Sequence, residues 1–140
     1  MIVINDCITF ILGKAYQRVH AELKSRLAPF GLTAPQYAVL AGLWEEDGRS
    51  SAQLREQLVM DSATITGVLD RLERDGLVNR FPDSTDRRVV RLRLTDAGRA
   101  LRDGVQQEIA KLNADIVGSL TPAQADELMG RLRSIAKGHR

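Results

Sequence analysis

The chain has very little cysteine and few aromatic residues. Cys7 is the single cysteine among 140 residues, so an intrachain disulfide and a cysteine-rich zinc site are both excluded. Aromatic residues make up only 4% of the chain, which leaves few flat side chains on which the bases of single-stranded nucleic acid can stack. Aliphatic residues dominate the 44% hydrophobic fraction instead, which favours interlocking helices in one domain.

Long apolar runs and catalytic groups are also missing from the sequence. Segment 1–13 is fairly apolar, but it lacks a basic leading region and is interrupted by Asn5 and Asp6. We therefore expect neither a signal peptide nor a membrane span, and a cytoplasmic protein. His20 and His139 are the only histidines, and there is no glycine-rich phosphate loop, metal-ligand cluster or nucleophile–base pair. The sequence thus predicts no enzyme activity, no metal and no cofactor.

Positive charge is concentrated in one segment. The whole chain carries a formal charge of only +2 at pH 7. Segment 80–93 contains five arginines against two aspartates, and this local surplus of three charges exceeds that of the chain. The arginines are Arg80, Arg87, Arg88, Arg91 and Arg93. A local cationic surplus is typical of a nucleic-acid contact, although a solvated charged hairpin would have the same composition.

Hydrophobic spacing and capping residues divide most of the chain into helices. Apolar residues recur at helical spacing in segments 8–27, 37–44, 54–58, 63–75, 97–116 and 128–135. Thr33, Ser50 and Thr121 each precede a glutamine by three residues, which is the pattern of a capping box. Asp61 precedes the helix that we expect from about residue 63 to 75, and Gly76 is suited to its left-handed terminus.

The hydrophobic period changes after residue 76. Val90, Leu92 and Leu94 alternate with the residues between them, which predicts a strand with one buried face. Segment 77–81 is the expected partner strand, and segment 82–86 has the composition of a turn. A short helix, a turn and a second helix precede this basic hairpin. The sequence therefore predicts a mainly α (α+β) fold, a winged helix-turn-helix with a two-stranded wing.

The second helix of the predicted unit is suited to the major groove of double-stranded DNA. At about 100° per residue, Ile65, Leu69 and Leu72 share one face. The opposite face, here called the outer face, carries small and polar residues: Ala63, Gly67, Asp70 and Arg74, flanked by Thr66 and Arg71. The groove is wide enough to admit such a helix. The predicted DNA contacts are Ser62, Thr64, Thr66, Arg71, Arg74, Arg80, Arg87 and Arg88.

Two other interpretations are open. An ordinary surface helix would show a similar outer face, and some winged helices contact proteins instead of DNA. The arginines of the wing argue against a protein partner, because protein interfaces favour aromatic and aliphatic residues.

Several motifs taken together resemble those of the MarR family of bacterial transcriptional regulators. They are Leu69-Asp70-Arg71-Leu72-Glu73, Gly76-Leu77-Val78, the pattern D-x-R-x5-L-T formed by Asp86, Arg88, Leu94 and Thr95, and Gly31-Leu32-Thr33 followed by Gln36-Tyr37. The resemblance covers the whole chain, 1–140, as a single domain. It implies a homodimer in which about 1–30 and 97–140 are dimerisation helices and about 33–96 is the winged DNA-binding part. Such a dimer is expected to repress transcription from a palindrome with half-sites about one helical turn apart.

The resemblance also implies an ion pair between Asp61 and Arg88, next to Asp86, that braces the wing against the recognition helix. Simple helix capping is the other role open to Asp61. Many relatives carry arginine where this chain has Gly67. Direct readout of bases would therefore shift to Thr66, Arg71 or Arg74, or to the wing and the shape of the DNA.

Family members usually sense a small molecule, often a phenolic or aromatic acid, or an oxidant. Tyr16, His20, Tyr37 and Trp44 are candidates for an effector pocket, although core packing is the simpler explanation of the last two. Cys7 is a candidate redox switch, because some relatives sense hydroperoxides through a cysteine in the first helix. Such a switch needs a readily formed thiolate, which the neighbouring Asp6 disfavours, so we favour a buried or interface thiol.

Overall fold

The computed structural model describes residues 1–138, so His139 lies outside the described residues. Within them, the helices are α1 (Ile8–Leu27), α2 (Ala34–Glu45), α3 (Ser51–Leu58), α4 (Ser62–Arg74), α5 (Asp96–Ala100), α6 (Arg102–Ile116) and α7 (Pro122–Lys137). The strands are β1 (Val78–Pro82) and β2 (Val90–Leu94), which form the wing. Short 3-10 turns cover Ile4–Asp6 and Ala28–Phe30. The predicted winged helix-turn-helix fold with a two-stranded wing is confirmed.

Local hydrogen bonds begin the helices where the sequence indicates. The side chains of Thr33, Ser50 and Thr121 each accept a hydrogen bond from the backbone N–H of the glutamine three residues later, and that glutamine side chain bonds back to the cap. These capping boxes satisfy backbone donors that a helix start otherwise leaves unpaired. Gly76 has a φ of 72°, the left-handed conformation expected after α4.

The wing is antiparallel, with Val78 opposite Leu94 and Arg80 opposite Leu92. Its first strand begins one residue later than expected. Val90, expected on the buried face, is exposed because it pairs with Pro82 at the end of the hairpin farthest from buried Leu92 and Leu94. A further contact joins the wing to the start of α3. Ser50 forms an isolated β-bridge with Arg91, and the N–H of Leu92 donates to the carbonyl of Arg49 at 2.9 Å.

A single aliphatic core lies between α2, α3, α4 and the wing, closed by the end of α1 and by α6. Its fully buried members are Leu27, Val39, Leu40, Leu43, Leu54, Leu72, Val78, Leu92 and Val105. The predicted inner face of α4, including Ile65, Val68 and Leu69, belongs to the same core. The outer face of α4 is therefore held toward solvent by the burial of its opposite side.

The segment predicted as one helix from 97 to 116 is divided at Leu101 into α5 and α6. Trp44 Nε1 donates to the carbonyl of Gly98 in α5 at 3.0 Å. A Cβ at Gly98 would lie 2.2 Å from the carbonyl oxygen of Leu77. The close approach of α5 to Leu77, the residue before β1, therefore requires glycine.

The apolar stripes of the two terminal helices remain exposed in the described part of the chain. None of the described residues of α7 is buried, and Leu27 is the single buried residue of α1. The exposed apolar residues, here called the terminal apolar stripes, are Ile8, Ile11 and Leu12 on α1 and Leu128, Met129, Leu132 and Ile135 on α7. Between residues 1 and 138, no helix combines the length and apolar character needed to span a membrane.

We expect Gly98→Ala to lower the free energy of unfolding by about 2 kcal/mol or more, because the added methyl group collides with backbone that cannot rotate away. Gly67→Ala is the control, since a Cβ at Gly67 meets nothing within 4 Å. The control should gain about 1 kcal/mol from helix propensity. Urea unfolding followed by circular dichroism measures both variants. Equal stability of the two would mean that α5 does not pack as described.

Candidate nucleic-acid interface

The turn between α3 and α4 presents the start of α4 to solvent. Val59 has a φ of 54°, a left-handed conformation that is rare for a β-branched residue, and it is exposed. After the turn, Asp61 caps α4 by accepting from the N–H of Thr64 at 2.7 Å. This hydrogen bond is the main cause of a lowered pKa of the Asp61 carboxyl.

The outer face of α4 is turned to solvent, with Arg80 of the wing approaching it at Asp70. Ala63, Asp70 and Arg74 are exposed, and Gly67 is half-buried with nothing near its missing Cβ. The flanking Thr66 is also exposed, and its hydroxyl donates to the carbonyl of Ser62 at 2.7 Å. Ser62, Thr64 and Arg71, the other predicted contacts on α4, are exposed as well. The helix thus offers a narrow surface of small side chains at its N-terminal half.

Arg80 lies between α4 and the wing. Its Nη2 atom is 2.7 Å from Asp70 Oδ1 and donates to the carbonyl of Thr66 at 3.4 Å. The backbone N–H of Arg80 donates to Glu73 at 3.2 Å. The side chain of Arg80 is only 29% exposed. The predicted contact with DNA stays a prediction, but the structure gives Arg80 a bridging position that the sequence did not indicate.

Arg91 is held inside the hairpin. Its Nε donates to Asp83, and its Nη1 donates to the carbonyl of Gly48 at 3.0 Å. Hydrogen bonds from the Thr85 hydroxyl and from Arg91 hold the pKa of Asp83 well below its usual range. The ionised carboxylate therefore organises the turn of the wing. Arg93 stacks over the ring of Phe81, with 4.4 Å between its guanidinium carbon and the ring centroid.

Arg87 and Arg88 lie at the tip of the wing and are exposed, the side chain of Arg88 to 91%. The ion pair expected between Asp61 and Arg88 is not formed in the structure of residues 1–138. Arg88 instead donates to both carboxylate oxygens of Asp86, at 3.0 and 3.1 Å, which lowers the pKa of Asp86. Asp86 is only two residues from Arg88 in the same hairpin, whereas Asp61 lies at the start of α4. The expectation was therefore wrong about the partner, and the link from wing to α4 runs through Arg80.

Arg55 is a candidate contact that the sequence analysis missed. It is exposed on α3 and donates a hydrogen bond to the hydroxyl of Ser62 at the start of α4. A cleft of about 390 Å³ separates α3 and α4 from the wing, and its polar lining includes Arg55, Ser62, Thr66 and Arg80. The available signal was that Arg55 is the single cationic residue of α3.

The four aromatic candidates form two pairs. Tyr16 and His20 stack on α1 with ring centroids 5.2 Å apart, and Tyr16 is exposed. Tyr37 and Trp44 on α2 lie 6.4 Å apart with tilted rings. Burial raises the pKa of the Tyr37 phenol, with a further contribution from Glu45. Cys7 is half-buried at the N-cap of α1.

Comparison with known proteins identifies relatives of the same architecture. A model described as MarR family matches residues 32–90. The chain is 31% identical over 132 residues to the HTH-type transcriptional repressor NicR of Pseudomonas putida, covering 94% of this chain and 84% of NicR. It is 39% identical over 126 residues to the HTH-type transcriptional regulator TtmR of Methylorubrum extorquens, covering 89% of this chain but only 57% of TtmR.

A solved structure of Bordetella bronchiseptica BpsR superposes with a TM-score of 0.92 at 28% identity, covering 99% of both chains. That structure concerns regulation of the DNA binding of BpsR by 6-hydroxynicotinic acid. The likeness therefore extends over the terminal helices as well as the wing.

Replacing Arg87 and Arg88 together by alanine should weaken binding to any duplex and flatten its salt dependence. Each lost phosphate contact lowers the slope of log affinity against log salt by about 0.9, so the double variant should lose about twice that. Fluorescence anisotropy on one labelled duplex at several salt concentrations measures the slope. Lys24→Ala with Lys111→Ala removes equal charge from α1 and α6 and should leave the slope unchanged. An unaltered slope in the arginine variant would mean that the wing tip does not touch phosphate.

Gly67→Ala should separate stability from DNA binding. The variant is expected to gain about 1 kcal/mol of folding stability from helix propensity. It should nevertheless bind its specific duplex more weakly, because a methyl group at the centre of the outer face prevents close approach to the bases. Parallel measurement of urea unfolding and of anisotropy titrations checks this opposition. Gain of stability with unchanged specific affinity would show that Gly67 is not at the point of contact.

Proposed function

This chain belongs to the MarR family of DNA-binding transcriptional regulators, and from that premise we propose that it is a homodimeric, ligand-responsive repressor of a palindromic operator. One observation carries the proposal. The structure exposes two unlike surfaces: the polar outer face of α4 beside the wing tip, and the terminal apolar stripes. The first is suited to duplex DNA, and the second is suited to another copy of the chain.

The terminal apolar stripes support the homodimer. An isolated helix of the length of α7 is marginally stable in water, so most of its stability must come from packing of an apolar face. In the structure of residues 1–138, Leu128, Leu132 and Ile135 remain exposed. A symmetric pair would bury the same residues on both copies. In this proposal residues 33–96 form the DNA-binding part, and α1, α6 and α7 form the dimerisation part.

A twofold axis through the terminal helices would present two copies of α4 to one face of a duplex. Half-sites about one helical turn apart would then meet the two outer faces in successive major grooves. Arg87 and Arg88 would reach beyond each half-site. The flanking minor groove attracts arginine where it is narrow.

For the effector we propose a small aromatic acid. BpsR, which shares the whole fold, is regulated by an acid of this class. The stacked Tyr16–His20 pair on α1 and the Tyr37–Trp44 pair on α2 remain the proposed contacts, with Tyr37 and Trp44 also part of the packing around the core. Binding would change the spacing or freedom of the two α4 helices and so lower affinity for both half-sites. For Cys7 a buried or interface thiol remains the favoured interpretation.

A gel shift with the DNA upstream of the chain's own gene tests the function. A heparin column comes first and should show retention that falls as the salt concentration rises. Specific retardation that a panel of aromatic acids relieves is the expected result. Retention without specific retardation at any low salt concentration would favour a winged helix that contacts protein. Retardation that no acid relieves would refute the effector class alone.

Leu132→Glu should convert the dimer to a monomer, because it places two carboxylates in an apolar interface. The dissociation constant of the dimer should rise by roughly a hundredfold or more. Light scattering after size-exclusion chromatography measures the mass. Gly130→Glu lies about 160° around α7 from Leu132 and introduces the same charge, so it serves as the control and should remain dimeric. A dimeric Leu132→Glu protein would place the interface elsewhere, and a monomeric wild type would refute the homodimer.

A further inference from the structure

In its N-terminal half, the outer face of α4 offers few hydrogen-bond donors, and so does Thr64 beside it. Thr66 Oγ1 donates to the carbonyl of Ser62 at 2.7 Å, and Thr64 Oγ1 donates to Asp61 Oδ2 at 2.9 Å. Neither a carbonyl nor an ionised carboxylate carries a hydrogen, so each threonine hydroxyl must supply the hydrogen of its bond. Both hydroxyls are left with lone pairs alone, and they can only accept further hydrogen bonds.

The centre of the same face adds no donor. Ala63 and Gly67 have no polar side-chain atom, and the exposed carboxylate of Asp70 is an acceptor. Ser62 retains a free hydroxyl hydrogen, but it is not one of the residues of the outer face, and its oxygen already accepts from Arg55. The N-terminal half of the outer face is therefore a surface of acceptors and methyl groups.

The nearby arginines are placed for other tasks. Arg80 is engaged by Asp70 and by the carbonyl of Thr66. Arg55 belongs to α3, and the first helix of a helix-turn-helix crosses the phosphate backbone. Arg71 and Arg74 lie in the last turn of α4, whereas the N-terminal residues of a recognition helix contact base edges.

We propose that α4 selects DNA by the exocyclic amino groups of adenine and cytosine, and not by the acceptor edge of guanine. In the major groove, adenine N6 and cytosine N4 are donors, whereas guanine presents the acceptors N7 and O6 and needs a donor from the protein. The methyl groups of Ala63 and Thr66 are suited to contact the methyl group of thymine. The inference rests on the proposed DNA-binding function and names the base edges that this function recognises.

The test begins with selection of duplexes by the wild-type protein from a pool with a random core. Bases of the selected site are then replaced one at a time by N6-methyladenine or N4-methylcytosine, which keep Watson–Crick pairing but lose the amino hydrogen that faces the groove. At contacted positions we expect about a tenfold loss of affinity, the cost of an acceptor left without its donor. Replacement of guanine by 7-deazaguanine, which removes the N7 acceptor, should leave affinity unchanged. 5-Methylcytosine adds similar bulk while keeping the amino group, so it controls for steric effects.

Two variants connect the DNA effect to a residue. Thr66→Val removes the hydroxyl acceptor at nearly the same side-chain volume. At the base that residue 66 contacts, N6-methyladenine or N4-methylcytosine should therefore no longer weaken binding of this variant. Thr66→Ser keeps the acceptor and should retain the sensitivity. Loss of affinity with 7-deazaguanine, or equal sensitivity of Thr66→Val and wild type at every position, would overturn the inference while leaving DNA binding intact. Failure to select any duplex would instead refute the proposed function, and the inference with it.

Discussion

The geometry of the candidate interface depends on one guanidinium. Arg80 joins the first strand of the wing to two successive turns of α4, through Asp70 at 2.7 Å and the carbonyl of Thr66 at 3.4 Å. A planar guanidinium with several donors in fixed directions restricts both position and orientation, which a single ammonium would not. The ion pair is partly exposed, so its contribution to folding stability is small. Its consequence is geometric, because the wing tip and the outer face of α4 must meet one duplex together.

A second set of contacts joins this unit to the terminal helices. Trp44 and the close approach of Gly98 to Leu77 hold α5 against the winged part, and Leu101 alone separates α5 from α6. At the other end, Arg26 forms ion pairs with Glu108 and Asp115 that join α1 to α6. In the proposed dimer, a change in the packing of the terminal helices would therefore reach α4 through packed elements, without a flexible linker. Both half-sites must fit at once, so a small change of angle is sufficient to lower affinity.

The arginines of segment 80–93 show why a count of charges does not identify DNA contacts. Arg80 and Arg91 pair with carboxylates and backbone carbonyls of the fold, and Arg93 covers Phe81. Arg87 and Arg88 at the tip project into solvent, although Arg88 also pairs with Asp86. The cationic surplus thus divides in two: part of it gives the hairpin its shape, and part of it is exposed at the tip. In the sequence, the arginines that pair within the fold look the same as those exposed at the tip, since each contributes one charge.

The sequence alone determined the features that depend on neighbours three or four residues apart. The capping boxes at Thr33, Ser50 and Thr121, the inner face of α4 and the burial of Leu92 and Leu94 on the second wing strand all follow from local hydrogen bonding and periodicity. Only the tertiary structure decided which carboxylate Arg88 and Arg80 select, how Ser50 pairs with Arg91, and that the stripes of α1 and α7 stay uncovered in one chain. The physical reason is that a local sequence pattern indicates which side chains need a partner. The choice among distant partners depends on distances that exist only after the core has brought the elements together.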